Sequence, residues 1–191
     1  MLKKNKFIVI EGIDGSGKTT VCKLLSQKIN GLFYKTPSLP FSDFREDIDR
    51  YVNIQSRFYF YLSSVIHASS EIDNLLNQNH VVCDRYILST LCYHRAADSS
   101  FYSFNEQNID ILRPDYTFYL DAEYEIRMKR VVKREQINYE EAITTKLHNK
   151  NYQEKVKLEF LKYNNLIKLD TSNVSADNVT ETIINRIKEC L

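Results

Sequence analysis

Short apolar runs alternate along this chain with longer stretches in which apolar residues recur at helical spacing. The first run, residues 7–10, has four consecutive apolar residues, three of them β-branched. Such a run is typical of a strand that is buried on both faces, as in a parallel sheet. Similar short runs predict further strands at 32–34, 80–84, 116–121 and 166–170.

The stretches between these runs predict helices. Apolar residues on one face from Val21 to Ile29 predict the first helix, which is expected to end near Gly31. Because strands and helices alternate at these spacings, we predict an α/β fold whose parallel sheet is covered by helices on both faces. Further helices are predicted at 44–51, 58–77 and 123–134, around Val156 and Phe160, and after Ser175, a suitable N-cap.

The turn after the first strand carries the most specific motif of the chain. It fits the pattern G-x-x-x-x-G-K-[ST], with its fixed positions at Gly12, Gly17, Lys18 and Thr19. Glycines let successive backbone N–H groups point inward, and the next helix directs its positive N-terminus at the same place, so the turn suits a phosphate. Lys18 can reach the β- and γ-phosphates of a nucleotide, and the Thr19 hydroxyl can ligate Mg²⁺. We therefore expect a nucleotide-phosphate site formed by Gly12, Gly15, Ser16, Gly17, Lys18, Thr19 and Thr20.

Composition narrows the classes of partner and compartment. The 191 residues suit one domain, and 26 basic against 25 acidic side chains leave a net charge of +1, which offers no electrostatic reason to expect nucleic acid or a membrane. The four cysteines are widely spaced, without a pair at metal-ligand spacing, and are predicted to be buried free thiols in a reducing compartment. No apolar run approaches the length of a membrane span, so we expect a cytoplasmic protein.

Three segments make the chain similar to the thymidylate kinases. Residues 11–20 match that family's form of the phosphate loop, including the internal Asp14, and Asp84-Arg85-Tyr86 resembles its D-R-Y segment. Residues 113–121 and 125–134 resemble its fourth strand and the arginine-bearing helix beyond. The resemblance covers nearly the whole chain. It implies a P-loop NTPase fold with a five-stranded parallel sheet and the phosphate-loop strand in the middle, ATP with Mg²⁺ as phosphate donor, and a nucleoside monophosphate as acceptor.

The resemblance also implies roles around the acceptor. Asp14 would keep the acceptor in line, Arg85 would grip its phosphate, and Asp84 would hold Mg²⁺ with Thr19. Because a phosphate acceptor is already an anion, the site must mainly position two anions and neutralise their charge. A turn-stabilising aspartate and a structural Asp84–Arg85 pair are the alternatives. The implied catalytic residues are Asp14, Lys18, Arg85 and Arg134, and the implied substrate-binding residues are Asp14, Lys35, Tyr59, Arg85, Thr90 and Tyr93.

The donor side of the site is implied to involve a small flap, the LID. The polar segment at about 134–151 is predicted to be this flap, and it begins at Arg134. In family members with glycine at the position of Gly15, the arginine that stabilises the transition state comes from the flap. Arg130 matches a residue that packs against adenine, and Thr171 is expected near the adenine edge.

The chain departs from the family pattern in the acceptor half. Residues 35–38 are K-T-P-S, where the family has R-E-P-G after the second strand, and the flap has Asn138 and Tyr139 in place of an Asp-Arg pair. The family also carries an aromatic residue that stacks on thymine and, four positions later, an arginine that reads the base edge. An ungapped count places these positions at Tyr59 and Ser63, so the arginine is lost and the sequence predicts weak discrimination among pyrimidine monophosphates.

Three functions stay open on the sequence. The first is an ATP-dependent nucleoside monophosphate kinase, with dTMP the leading acceptor. The second is a kinase for a deoxynucleoside or another hydroxyl acceptor, which would benefit from a carboxylate base near the end of the second strand, where Lys35 stands. The third is a nucleotide-binding regulatory protein with little catalysis. Small-molecule nucleotides are the expected partners in each case, and a homodimer is left open.

Overall fold

Five parallel strands form one sheet in the computed structural model, which describes residues 5–136 and 149–189. The order across the sheet is β2-β3-β1-β4-β5, so the strand before the phosphate loop lies in the middle, as the resemblance implies. The strands are β1 (Phe7–Gly12), β2 (Leu32–Lys35), β3 (Val81–Asp84), β4 (Tyr116–Asp121) and β5 (Ile167–Asp170).

Helices connect the strands and cover both faces of the sheet. Alternate residues of β1 point to opposite faces, which is why an uninterrupted apolar run is required there. Phe7 and Val9 pack with α3 and α4, whereas Ile8 and Ile10 pack with α1 and the last helix. The described helices are α1 (Lys18–Lys28), α2 (Phe41–Tyr51), α3 (Ile54–Leu75), α4 (Ile87–Ala97), α5 (Tyr124–Glu135), α6 (Lys150–Leu161) and α7 (Ala176–Glu189).

The strand register brings the ends of three strands to one edge. Ile10 of β1 lies opposite Asp84 of β3, and Gly12 lies opposite Leu120 of β4. The loop after β1 and Arg85 after β3 therefore leave the sheet side by side. In an open parallel sheet this carboxyl edge is where ligands bind.

Two helices begin earlier than the sequence pattern predicts. Helix α2 starts at Phe41 rather than at residue 44, and α3 starts at Ile54 rather than at residue 58. The early start of α3 has a local cause, because the side chain of Asn53 accepts a hydrogen bond from the Ser56 backbone N–H and caps the helix. The predicted cap of the last helix is confirmed, since the Ser175 hydroxyl oxygen accepts from the Asn178 N–H at 3.2 Å.

Several sequence predictions fall partly or wholly outside the described residues. Most of the predicted flap lies in the undescribed segment 137–148, which includes Asn138 and Tyr139. Cys190 also lies outside, whereas Cys22, Cys83 and Cys92 are buried free thiols as predicted. No helix in the described part of the chain is long and apolar enough to cross a bilayer.

Candidate active site

The phosphate loop depends on glycine at two positions where no side chain fits. Gly12 has φ 148°, and a Cβ there would lie 2.4 Å from the Leu120 carbonyl oxygen. Gly15 has φ 81°, and its Cβ would lie 2.4 Å from the carbonyl oxygen of Arg127 in α5. Both positions combine a left-handed backbone with a collision against another main chain. This backbone therefore has no room for an arginine at position 15.

Lys18 is held in the loop before any phosphate is present. Its ammonium donates to the Ile13 carbonyl oxygen at 2.9 Å and lies 3.9 Å from an Asp14 carboxylate oxygen. Burial and the positive charge of Arg85 together lower the pKa of Lys18 to about 8, although nearby carboxylates act in the opposite direction. A triphosphate bound in the loop would supply negative charge that stabilises the protonated form of Lys18.

Thr19 and Asp84 form a pair of oxygen ligands at the end of β3. The Thr19 hydroxyl donates to Asp84 Oδ2 at 2.5 Å, and within the described residues the buried Asp84 Oδ1 has no hydrogen-bond partner. The buried hydroxyl of Ser16 is also without a partner among these residues. A hard cation such as Mg²⁺ binds oxygen ligands and keeps several waters or phosphate oxygens, so this donor set fits it. No group of three or more His, Cys, Asp or Glu side chains gathers around a common point in residues 5–136 and 149–189.

Arg85 joins the D-R-Y segment to the phosphate loop. Its backbone is left-handed, with φ 71°, an uncommon conformation for a residue other than glycine. The guanidinium forms an ion pair with Asp14, donates to the Ser89 hydroxyl oxygen at 3.0 Å and lies 5.3 Å from the centre of the Tyr93 ring. The structure therefore brings together three of the residues that the sequence predicts for the acceptor: Asp14, Arg85 and Tyr93.

A cavity of about 380 Å³ opens beside this ion pair. Of the predicted acceptor residues, Asp14, Arg85, Thr90 and Tyr93 line it. Its walls are formed by the loop after β2 and by helices α2, α3 and α4, with Tyr152 from α6. Helices α2 and α3 contribute Arg57, which the sequence offers as an alternative source of the missing arginine contact, and six side chains that it did not assign: Arg45, Asp49, Ile54, Tyr61, Ser64 and Val65.

The structure places Tyr59, the predicted stacking residue, outside the cavity. Tyr59 is 54% exposed, does not line the cavity, and is followed on the same outward face by the exposed Ser63. Two positions along a helix correspond to about 200°, so the ungapped count selected the opposite face of α3. Tyr61 lines the cavity instead, and Val65 lines it four residues later. The apolar stripe through Phe58, Leu62 and Val65 would have identified the inward face.

Lys35 is also outside the cavity that it was predicted to serve. Its side chain is exposed at the end of β2, whereas Thr36 is buried and lines the cavity with Pro37. Side chains alternate between the two faces of a strand, so adjacent residues at a strand end point in different directions. Lys35 therefore does not reach the cavity, although the next residue in the chain lines it.

On the donor side, Arg130 and Thr171 are tied to the phosphate loop. The Arg130 guanidinium donates to the Gly15 carbonyl oxygen at 3.2 Å and to the Thr171 carbonyl oxygen at 2.6 Å. The Thr171 hydroxyl lies 2.8 Å from the Ser16 carbonyl oxygen. Arg134 is exposed in the last turn of α5 and does not line the cavity, and Thr20 is exposed on α1.

Glu11 is a further residue of the site that the sequence analysis did not single out. It is fully buried, and its carboxylate accepts from the backbone N–H groups of Tyr86 and Ser89 at 2.9 and 3.2 Å and from the Ser89 hydroxyl at 2.5 Å. Burial raises the pKa of Glu11, while these hydrogen bonds and the charge of Arg85 act in the opposite direction. A carboxylate at the end of an otherwise apolar strand was the available signal.

Comparison with known proteins agrees with this geometry. A sequence model described as thymidylate kinase matches residues 10–183. A probable thymidylate kinase of Methanocaldococcus jannaschii is 32% identical over an alignment of 188 residues that covers 96% of each chain. A thymidylate kinase of Mycoplasmoides gallisepticum is 31% identical over 202 residues, covering 97% of this chain and 95% of the relative.

Two solved structures show the same fold. A thymidylate kinase from Candida albicans with broad substrate specificity superposes with a TM-score of 0.76 at 23% identity, covering 97% of this chain and 92% of the other. A deoxyadenosine kinase from M. mycoides with bound dATP has a TM-score of 0.69 at 17% identity, covering 96% of this chain and all of the other. The family match spans most of the chain and the relatives match over nearly their whole length, so the protein belongs to the thymidylate kinases, a family of nucleoside monophosphate kinases.

Proposed function

We propose that this protein transfers the γ-phosphoryl group of ATP to dTMP, producing ADP and dTDP. The observation that carries the proposal is the Asp14–Arg85 ion pair, because it lies where the phosphate loop and the acceptor cavity meet. A donor phosphate on the loop and an acceptor phosphate in the cavity would both lie close to this pair. The family membership supports the same reaction.

The residues of this site supply positioning and positive charge. The ammonium of Lys18 would neutralise the transferred phosphate, and the Arg85 guanidinium would hold the acceptor phosphate through a fork of N–H donors. Thr19 and Asp84 would hold Mg²⁺, which neutralises charge on the phosphates of ATP when bound. The acceptor phosphate is already ionised at neutral pH, so the site requires no general base to activate it.

The arginine that stabilises the transition state would come from outside the phosphate loop. The collision with the α5 backbone excludes an arginine at position 15, the loop position that carries it in other family members. We keep Arg134 as the proposed contributor, because it lies at the end of α5 where the predicted flap begins. An arginine that approaches with a flap can stabilise charge that develops only in the transition state.

We further propose that Arg57 and Tyr61 read the acceptor base. Tyr61 offers an aromatic ring in the cavity, and its hydroxyl donates to the Asp49 carboxylate at 2.8 Å. Arg45 and Arg85 each pair with an aspartate, at Asp49 and Asp14, whereas no carboxylate lies within 4.0 Å of Arg57 in the described parts of the chain. Arg57 Nη1 donates to the Asp49 carbonyl oxygen at 3.4 Å, and its other N–H groups can donate to oxygen atoms of a ligand.

The position of Arg57 favours the far edge of the base over the phosphate. Arg57 donates to the Asp49 carbonyl oxygen at 3.4 Å, the Asp49 carboxylate accepts from Tyr61, and the Tyr61 ring centre lies 6.1 Å from that of His94. Burial, and after it the charge of Arg57, lowers the pKa of His94. His94 lies seven residues after Ile87, the first residue of α4, or about 10 Å at 1.5 Å per residue. Because Arg85 precedes that helix, Arg57 faces the end of the cavity remote from the acceptor phosphate. Thymine and uracil carry a keto oxygen at their far edge, where cytosine carries an amino group.

Steady-state phosphoryl transfer with purified protein, MgATP and a panel of acceptors tests the proposal. The panel comprises dTMP, dUMP, dCMP, dAMP and the corresponding nucleosides. We expect dTMP to have the highest kcat/KM, dUMP to follow closely, and the nucleosides to be poor acceptors. Faster transfer to a nucleoside hydroxyl would favour the hydroxyl-acceptor function, and absence of single-turnover transfer to any of them would favour the regulatory function.

The substrates of this reaction are small nucleotides. A homodimer, which the sequence leaves open, requires a separate measurement. Helices α2 and α3 expose aromatic side chains on their outer surfaces, among them Phe44, Tyr51 and Tyr59. Sedimentation velocity at several protein concentrations measures whether the chain self-associates.

A further inference from the structure

The buried carboxylate of Glu11 accepts hydrogen bonds but forms no ion pair within 4.0 Å among the described residues. No Lys, Arg or His nitrogen lies within 4.0 Å of it in the described residues, and its side chain is completely shielded from solvent. A buried charge without an ion pair is costly unless hydrogen bonds satisfy it. Here three donors converge on the carboxylate, and all three belong to the first turn of α4 or the residue before it. The hydrogen bonds that offset the cost of burying Glu11 therefore come from the start of α4, and the charge of Arg85 adds to them.

The direction of the hydrogen bonds makes Ser89 a relay to Arg85. A carboxylate only accepts and a guanidinium only donates, so the single hydroxyl hydrogen of Ser89 goes to Glu11 Oε2 at 2.5 Å. The lone pairs of the same hydroxyl are then available to accept from Arg85 Nη1, which lies at 3.0 Å. Glu11 thus determines that Ser89 presents an acceptor, and not a donor, to the arginine.

The same carboxylate also supports the unusual backbone of Arg85. Residues other than glycine pay a conformational cost at positive φ, and such conformations persist when the surroundings hold them. The N–H of Arg85 donates to the Ile10 carbonyl oxygen at 3.1 Å, and its own carbonyl oxygen accepts from the Thr36 hydroxyl at 3.0 Å. The next N–H, of Tyr86, donates to Glu11 at 2.9 Å. Glu11 therefore accepts a hydrogen bond from the backbone N–H that follows Arg85, and it acts on the Arg85 side chain through Ser89.

We propose that Glu11 is a positioning residue for the acceptor phosphate, which acts through Ser89 to hold the Arg85 guanidinium towards the cavity. This role rests on the proposed function, in which Arg85 binds that phosphate. Glu11 itself does not line the cavity, so it can act on the acceptor only through other residues. Loss of Glu11 should weaken the binding of a ligand that carries a phosphate and should hardly change the binding of one that lacks it.

The test compares the dissociation constants of dTMP and thymidine, measured by calorimetry. Three variants, Ser89→Ala, Glu11→Gln and Arg85→Ala, are set against the unmodified protein. The Kd ratio of thymidine to dTMP should fall by about tenfold in the first two variants and further in Arg85→Ala. In Glu11→Gln the side-chain amide must direct N–H groups at Ser89 or at the backbone N–H groups, so the relay loses its polarity although the shape is kept.

Three controls separate positioning from general damage to the fold. Ser26→Ala removes another buried hydroxyl, which bonds Lys23 in α1, and should leave the ratio unchanged. Ser89→Thr keeps the hydroxyl and should restore the ratio. In the double variant Ser89→Ala with Arg85→Ala, the ratio should equal that of Arg85→Ala alone, because the relay has nothing left to position.

The outcomes distinguish this proposal from the proposed function. If the unmodified protein binds dTMP no more tightly than thymidine, the phosphate contact of the proposed function fails and the relay fails with it. If that preference exists but survives in both Ser89→Ala and Glu11→Gln, the relay alone is overturned. Should Glu11→Gln not fold, as thermal unfolding would show, Ser89→Ala and Ser89→Thr decide the matter.

Discussion

The phosphate loop and the acceptor cavity are assembled in different ways. The loop is one contiguous stretch, residues 12–19, which closes on itself through the Ser16 N–H bonded to the Ile13 carbonyl oxygen at 3.2 Å. The cavity collects side chains from four helices and from the loops after β1, β2 and β3, between Asp14 and Tyr152 in the sequence. In the loop, residues that are close in the sequence are also close in the structure, so their spacing in the sequence predicts their arrangement. In the cavity, a helix must first adopt its correct rotation before any of its residues can contribute.

This difference explains where the chain keeps and where it leaves the family pattern. The loop tolerates little change, because a Cβ at Gly12 or Gly15 would collide with another main chain. A position on a wall of the cavity can carry different side chains. On α3, Val65 is apolar, whereas Arg57, two turns earlier, is a cation. The donor half is therefore constrained by backbone geometry, and the acceptor half by which helix faces are turned inward.

Replacement of Lys18 should have the largest effect, because it removes the positive charge of the loop itself. We expect Lys18→Ala to lower kcat by about a thousandfold or more while the protein stays folded, since the lost charge acts on the transferred phosphate. Single-turnover transfer from ATP measures the loss. Lys23→Ala, an exposed lysine on the same helix, is the matched control. Near-normal turnover in Lys18→Ala would remove ATP chemistry from this loop.

Truncation of Tyr61 should have the next largest effect and tests the corrected face of α3. Stacking on an aromatic ring contributes roughly 1–3 kcal/mol per base, so Tyr61→Ala should raise the KM for dTMP by about tenfold. Tyr61→Phe keeps the ring and should retain most of the affinity. Tyr59→Ala, two positions away on the exposed face, should change the KM little. A large effect of Tyr59→Ala with none of Tyr61→Ala would reinstate the ungapped alignment.

Replacement of Arg57 should alter selectivity more than rate. Arg57→Met keeps the length of the side chain but loses its donors, so the preference for dTMP over dCMP should fall by about tenfold, the value of one charge-assisted hydrogen bond. The preference for dTMP over dUMP should not change, because both bases carry the keto oxygen. Arg50→Met on the exposed side of α2 is the control. Equal losses for all acceptors would show that Arg57 does not read the base.

The smallest expected effect is a proton taken up by the loop when a triphosphate binds. The pKa of Lys18 is lowered to about 8 by burial in the free protein, and the negative phosphates should raise it again. At pH 8 binding should therefore consume about half a proton, and affinity for an ATP analogue should fall as the pH rises above 8. Calorimetry in two buffers of different ionisation enthalpy measures the uptake. Lys18→Arg should abolish it, and equal uptake in that variant would assign the proton to another group.

The sequence predicted the sheet, its central strand and the phosphate loop with little error. Phe7–Gly12 is a strand and α1 follows it because the apolar run, the glycines and the helix start are neighbours in the chain. The same holds for Asp84, whose place at the end of β3 follows from the strand itself. The LID at 134–151, by contrast, stays a prediction.

The tertiary structure alone decided which side chains reach the acceptor. The sequence determined that an aromatic residue, a basic residue and a D-R-Y segment would be present, but Tyr61 rather than Tyr59 faces inward because the neighbouring helices select one side of α3. The contacts of Glu11 with Tyr86 and Ser89 could not be predicted either, since they join β1 to the start of α4 across more than seventy residues. Local spacing determines a loop that binds through its own backbone. The rotation of a packed helix depends on every element that it contacts.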